Sequence, residues 1–118
     1  MKGKFDLENK FEGLSLDDCF ISEITLAELK FGVENSERPD KNRKALDNFL
    51  TGVQILPIFG SLNFYAQEKA RLRKEGTRID DFDLLIGVTS VINNLVMVTN
   101  NTAHFQRIKG IVLEDWVN

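Results

Sequence analysis

One cysteine, one histidine, one tryptophan, one tyrosine and two prolines are all that 118 residues contain of those types. A single thiol, Cys19, cannot close an internal disulfide, which fits a reducing compartment, and we expect the cytoplasm. One histidine and one cysteine leave no spacing for a Cys/His zinc site. No Gly-rich phosphate loop and no Ser-His-Asp arrangement is present either. No apolar run approaches the roughly 20 residues of a membrane-spanning helix. The opening Met1-Lys2-Gly3-Lys4-Phe5 lacks the apolar stretch of a signal peptide. A surplus of positive charge is missing too: 15 Lys and Arg face 18 Asp and Glu, a formal net charge of −3. That balance argues against a protein that coats nucleic acid through its overall field. It leaves room for a nuclease, because clustered carboxylates lower net charge where a metal ion offsets them.

What is present is an ordinary apolar content of 42%, enough for one compact domain over residues 1–118 with a single core. Phe5 to Leu14 reads as a short helix. Cys19-Phe20-Ile21 reads as a buried strand, followed by Ser22 as a cap and a helix from Glu23 to Val33. Within that helix, Thr25 and Glu28 have capping-box spacing. Pro39-Asp40 opens a further helix with Ala45, Leu46, Phe49 and Leu50 as its apolar stripe, and Gly52 ends it. Val53 to Ile58 is strand-like but interrupted by Pro57. Ser61 to Glu75 is helical and closed by Gly76. Asp80 to Asn93 is a helix apolar on nearly every side, and therefore central. Leu95 to Val98 and Ile111 to Leu113 read as strands, with Trp116 packing the chain end. Strands alternating with helices predict an α/β layer fold with a mainly parallel sheet, its site at the carboxyl ends of the strands.

Two carboxylates stand out. Ile24, Ala27, Glu28 and Phe31 share a helix face, and a carboxylate on an apolar face is costly unless paired or bound to metal. Its bland explanation is the capping box with Thr25. The string Asp80-Asp81-Phe82-Asp83 opens a helix. One of the first two acids suffices as a cap, so Asp83 is surplus to capping. Asp83 lies on one face with Ile86, Gly87 and Ser90, and Gly87 suggests close packing there against the sheet. Asn100 and Asn101 follow a strand directly and serve equally well as turn residues. Oxygen ligands gathered at strand and helix ends suit a hard divalent cation, Mg2+ or Mn2+. Lys69, Arg71, Arg73, Lys74 and Arg78 crowd just ahead of the acidic string. They are either a solvated helix face with Glu68 and Glu75 or a rim for phosphate. His104 reads as a surface residue rather than a general base. Asp81-Phe82-Asp83 is also an Asp-x-Asp, but the apolar strand that an aspartyl phosphotransferase needs upstream is absent.

From Cys19 onward the chain resembles PIN-domain ribonucleases of the VapC toxin type. The resemblance lies in Ile21-Ser22-Glu23-Ile24-Thr25-Leu26-Ala27-Glu28-Leu29-Lys30-Phe31-Gly32, in Ile79-Asp80-Asp81-Phe82-Asp83-Leu84-Leu85-Ile86-Gly87, and in Val98-Thr99-Asn100-Asn101-Thr102-Ala103-His104-Phe105 with the stretch from Gly110 to Trp116. It implies a three-layer PIN-like fold and a Mg2+- or Mn2+-dependent endoribonuclease. Glu28 and Asp83 match two acidic metal positions, and Asn101 matches a position where many relatives have Asp. Arg73, Lys74 and Arg78 would contact RNA. The implied partners are the RNA substrate, a VapB-like antitoxin and a second copy of the chain, with no membrane. The family also opens with a central strand ending in Asp-Thr-Asn. Asp6 has no such strand before it, so we expect an N-terminally shortened form with the first ligand lost and cleavage impaired. A catalytically silent module that binds an antitoxin or itself is the alternative, and a metal phosphatase a third reading.

Overall fold

The structure, a computed structural model, describes residues 19–99 and 101–115. The expected helix from Phe5 to Leu14, Asp6, Asn100 and Trp116 lie outside that range. The described residues form two compact units, one up to Leu56 and one from Pro57 onward.

In the first unit, strand β1 (Phe20–Ser22) leads into helix α1 (Glu23–Glu34), then helix α2 (Pro39–Leu50) and strand β2 (Gln54–Leu56). β1 and β2 pair in parallel, with Phe20, Ile21 and Ser22 opposite Gln54, Ile55 and Leu56. β2 stops just before Pro57, where the ladder would lose a donor. Ser22 caps α1 as expected: its Oγ accepts from the Thr25 backbone N–H at 3.0 Å. Thr25 is therefore inside the first turn, and the expected Thr25–Glu28 capping box does not form. Pro39 begins α2 and supplies the first-turn residue that lacks an N–H. Leu46 and Phe49 are its buried residues, whereas Ala45 is exposed. The core here is Ile21, Leu29, Val33, Leu46, Phe49 and Val53.

The second unit starts with a 3-10 turn (Phe59–Ser61), followed by helix α3 (Leu62–Lys74) and helix α4 (Asp81–Ile92). Strand β3 (Val96–Val98), the four-residue helix α5 (Thr102–Phe105) and strand β4 (Val112–Glu114) complete it. β3 and β4 are parallel, Val96 to Val98 facing Val112 to Glu114. The strands of the described residues thus form two parallel pairs rather than one continuous ladder.

Ser61 does not cap α3 with its side chain; the 3-10 turn takes over the start of that helix, and Ser61 is buried. Gly76, at φ +73, ends α3. Its N–H bonds to Arg73 O, and the Thr77 N–H reaches back to Leu72 O, a pairing that satisfies carbonyls otherwise orphaned at a helix end. Asn94, at φ 57, does the same for α4, with Leu95 N–H on Ser90 O. α4 is the central helix that its apolar sequence predicts, burying Leu84, Ile86, Gly87, Val88 and Thr89 as well as Asp83.

A carboxylate joins that core. Glu68 on α3 is only 3% exposed, yet Arg71 holds both its oxygens at 2.8 Å and the Lys109 backbone N–H adds a third bond at 3.0 Å. The Arg71 guanidinium, more than any other neighbour, keeps the Glu68 carboxyl below its ordinary range. Arg71 also donates to Glu75 and to Arg107 O, so one ion-pair network fastens α3 to the segment before β4.

Candidate functional site

The three acids that open α4 have three different fates. Asp80 is the cap: its carboxylate accepts from the Phe82 N–H at 3.2 Å. Asp81 points elsewhere, taking Lys69 Nζ at 2.8 Å and the Tyr65 hydroxyl at 2.9 Å. Those partners, Lys69 first, hold its carboxyl low, and the same pairing raises the Lys69 ammonium. Asp83 remains, 6% exposed on the inner side of the first turn. Capping thus uses only part of this acidic string, as its spacing predicts.

Asp83 meets a residue that reads from its position as a surface histidine. His104, on α5, places Nε2 3.2 Å from Asp83 Oδ2. It is not a simple surface residue; its side chain is 24% exposed, and its ring meets Phe105 edge-on at 5.2 Å and 81°. Gly87 makes this approach possible. A Cβ there would collide with Ile108 Cδ1 and would meet Ile111 and Phe105 at 3.4 and 3.6 Å. Close packing at Gly87 was expected against the sheet. The neighbours are instead α5 and the residues after it, because they are what crosses this face of α4. A lone histidine has no partner pattern in sequence; only the tertiary approach of α5 to α4 gives it one.

Asn101 stands at the start of α5. Its backbone O accepts from the His104 and Phe105 N–H groups, and its own N–H donates to Thr99 Oγ1 at 3.0 Å. The exposed carboxamide makes no capping hydrogen bond, so the turn role falls to its backbone alone.

Glu28 belongs to the first unit. The face expected to be apolar is not the buried one: Ala27 and Phe31 are exposed, and α1 buries Thr25, Leu29 and Val33 instead. Glu28, three residues after Thr25, flanks that stripe. It is half-buried, with Oε1 shielded from solvent. With the capping box gone, that earlier explanation of this carboxylate no longer holds.

The basic crowd ahead of α4 divides as well. Lys69, Arg73 and Arg78 line a cavity of about 410 Å3 together with Asp80 and Asp81, over Leu72, Ile79 and Leu84. The turn at Gly76 brings the two arginines to one hollow from opposite sides of a helix end. Lys69 is spent on Asp81, but among the described residues no carboxylate pairs with Arg73 or Arg78. Lys74, expected beside them, is exposed and does not line the cavity, while Lys69 does. Arg71 is consumed by Glu68 and Glu75.

The donor types suit a hard cation in kind: carboxylate and amide oxygens. Among the described residues no group of three or more His, Cys, Asp and Glu side chains is assembled for a metal. That does not conflict with Mg2+, which keeps several waters and takes one or two carboxylates plus substrate phosphate rather than a full protein cage.

The described residues thus form an α/β fold of parallel strand pairs with a buried aspartate at the first turn of its central helix. The PIN domain family model matches residues 4–111, and the chain belongs to the PIN-domain family. Ribonuclease VapC2 of Rickettsia felis is 38% identical over 97 residues, covering 81% of this chain and 72% of that protein. The tRNA(fMet)-specific endonuclease VapC of Salmonella typhimurium is 34% identical over 119 residues, covering 95% and 90%. Among solved structures, VapBC2 from Rickettsia felis bound to a promoter DNA fragment matches with a TM-score of 0.78 at 34% identity, covering 94% of this chain and 82% of that one. VapBC-1 from nontypeable Haemophilus influenzae matches with a TM-score of 0.80 at 30% identity, covering 85% and 75%.

Proposed function

We propose that this chain is a VapC-like endoribonuclease that hydrolyses RNA phosphodiesters with Mg2+ or Mn2+. The observation that carries the reading is Asp83: a carboxylate only 6% exposed at a helix start, where capping is done by Asp80 and not by Asp83. Relatives named as VapC ribonucleases support the same reaction class. The reading takes residues 1–118 as one PIN-like domain acting in the cytoplasm.

Asp83, Glu28 and Asn101 would hold the cation. When bound, it lowers the pKa of a water and offsets charge developing on the scissile phosphate. The chain's own residues supply the rest. Asp83 and Glu28 bring negative charge to the metal, whereas Asn101 brings an oxygen without charge. With two charged ligands among the described residues, we expect slow cleavage. Arg73 and Arg78 bind backbone phosphates of the RNA, since no carboxylate among the described residues pairs with their guanidinium groups. Lys74 would act only from the periphery.

A VapB-like antitoxin, supported by the VapBC complexes among the structural relatives, and a second copy of the chain are the proposed protein partners. Phe59, 84% exposed, together with exposed Leu62 and Phe82, offers apolar surface for such contacts.

The test is cleavage of structured RNA with added Mg2+ or Mn2+. Activity lost in chelator and in Asp83→Asn is the expected result; equal activity of Asp83→Asn and the parent removes the site assignment. The lack of a three-ligand cluster among the described residues favours a second reading, a silent antitoxin-binding module. No cleavage with antitoxin binding retained would establish it.

A further inference from the structure

We infer that Arg107 is a positioning residue for RNA binding, holding the loop that carries Arg78 so that this arginine joins Arg73 at the cavity. The inference rests on the reading of Arg73 and Arg78 as phosphate contacts, and it gives Arg107 a role that reading leaves out.

The two arginines reach the hollow from backbones of unequal stiffness. Arg73 stands in the last turn of α3, where the helix fixes its backbone. Arg78 stands in the connection between Lys74 and Asp81, after the turn at Gly76. The Thr77 N–H ties that connection back to Leu72 O, and Ile79 is buried beyond it. The Arg78 carbonyl between them is held by a side chain from elsewhere: Arg107 Nη1 donates to it at 3.1 Å, across 29 residues of sequence. Arg107 is itself rooted in the core. Its own carbonyl accepts from Arg71 Nη2 at 2.8 Å, and the Lys109 N–H donates to Glu68 Oε2 at 3.0 Å. Ile108, between those two anchors, is 1% exposed. A buried carboxylate thus holds Arg71, Arg71 holds the backbone of Arg107, and Arg107 holds the backbone of Arg78. A guanidinium presents its donors in a rigid planar fork, so its bond to a carbonyl restricts orientation as well as distance. A loop ordered in advance is spared part of the cost of ordering when RNA binds.

The test is filter binding of a single-stranded RNA oligonucleotide to the full chain in chelator, so that neither cleavage nor a metal enters the measurement. Arg107 is exposed, and Arg107→Ala should leave the thermal midpoint within a few degrees. Its RNA affinity should fall about 2- to 10-fold, the range of one hydrogen bond, and by no more than Arg78→Ala loses. Added to Arg78→Ala, Arg107→Ala should cause no further loss, because the residue it positions is gone. Parent-like affinity in Arg107→Ala, beside a clear loss in Arg78→Ala, overturns the inference. An equal further loss in the Arg78→Ala background overturns it too, since Arg107 would then touch RNA itself. If the parent binds no RNA, or Arg78→Ala binds as the parent does, the phosphate-contact reading fails and the inference with it, a result distinct from the other two.

Discussion

Gly87 shows how one residue can be read correctly in part and misplaced in part. A glycine inside a helix costs roughly 1 kcal/mol relative to alanine, so it signals a neighbour that needs the space. Nothing local says which neighbour, and the structure supplies Ile108, Ile111 and Phe105. Gly87→Ala should therefore destabilise the protein by about 1–3 kcal/mol despite its better helix propensity, as measured by urea unfolding. An increase in stability would mean that Ile108 moves aside easily. Ser22 is the opposite case, fully legible from its position before an apolar helix. Ser22→Ala should cost about 1 kcal/mol, because the Thr25 N–H loses the oxygen it bonds at 3.0 Å. His104 was not legible at all: its neighbour Asp83 lies 21 residues away in sequence.

Among the elements, α3 is the one most dependent on charge. Its basic residues in the last turn complement the helix dipole, but the Glu68–Arg71 pair anchors it. Arg71, followed by the Lys109 N–H, lowers the Glu68 carboxyl. A lowered acid contributes stability that is fully present above its unfolded value and is lost as pH falls through the folded one. The urea midpoint should accordingly drop below about pH 4.3, and Glu68→Gln should flatten that part of the profile. At neutral pH the same substitution should cost about 2–3 kcal/mol, since Arg71 and the Lys109 N–H lose a charged partner inside the core. A profile identical to the parent would show that the pair adds nothing. The pair is suggested by spacing in the sequence, where a solvated face with Glu68 and Glu75 is one of two readings of the basic residues. Its burial comes from the segment around Lys109 folding over α3, which no local pattern announces.

For the whole molecule, a net charge of −3 and a cavity carrying Arg73 and Arg78 predict a particular salt response. If these arginines hold RNA phosphates, affinity should fall with salt, and removing both should make the slope of log K against log salt shallower by about 1.4, near 0.7 per phosphate contact on a single strand. Lys74→Ala should change that slope little, because the side chain lies outside the cavity. A filter-binding series on a cleavage-deficient background would measure it, and an unchanged slope in the double variant would remove these residues from the interface.

Sequence alone determined the order of the four strands and of α1 to α4, the Ser22 cap, the helix stop at Gly76, the end of α4 at Asn93, and that Asp83 is surplus to capping. Each of those depends on interactions within a few residues, where periodicity and hydrogen-bonding chemistry act directly. Tertiary structure alone decided that α1 buries Thr25, Leu29 and Val33 rather than the face of Phe31, that Lys69 rather than Lys74 joins the two arginines, and that the only histidine meets Asp83. Those outcomes depend on which surfaces come together across dozens of residues. The free energy that chooses among them is the sum of many weak contacts that no single segment contains.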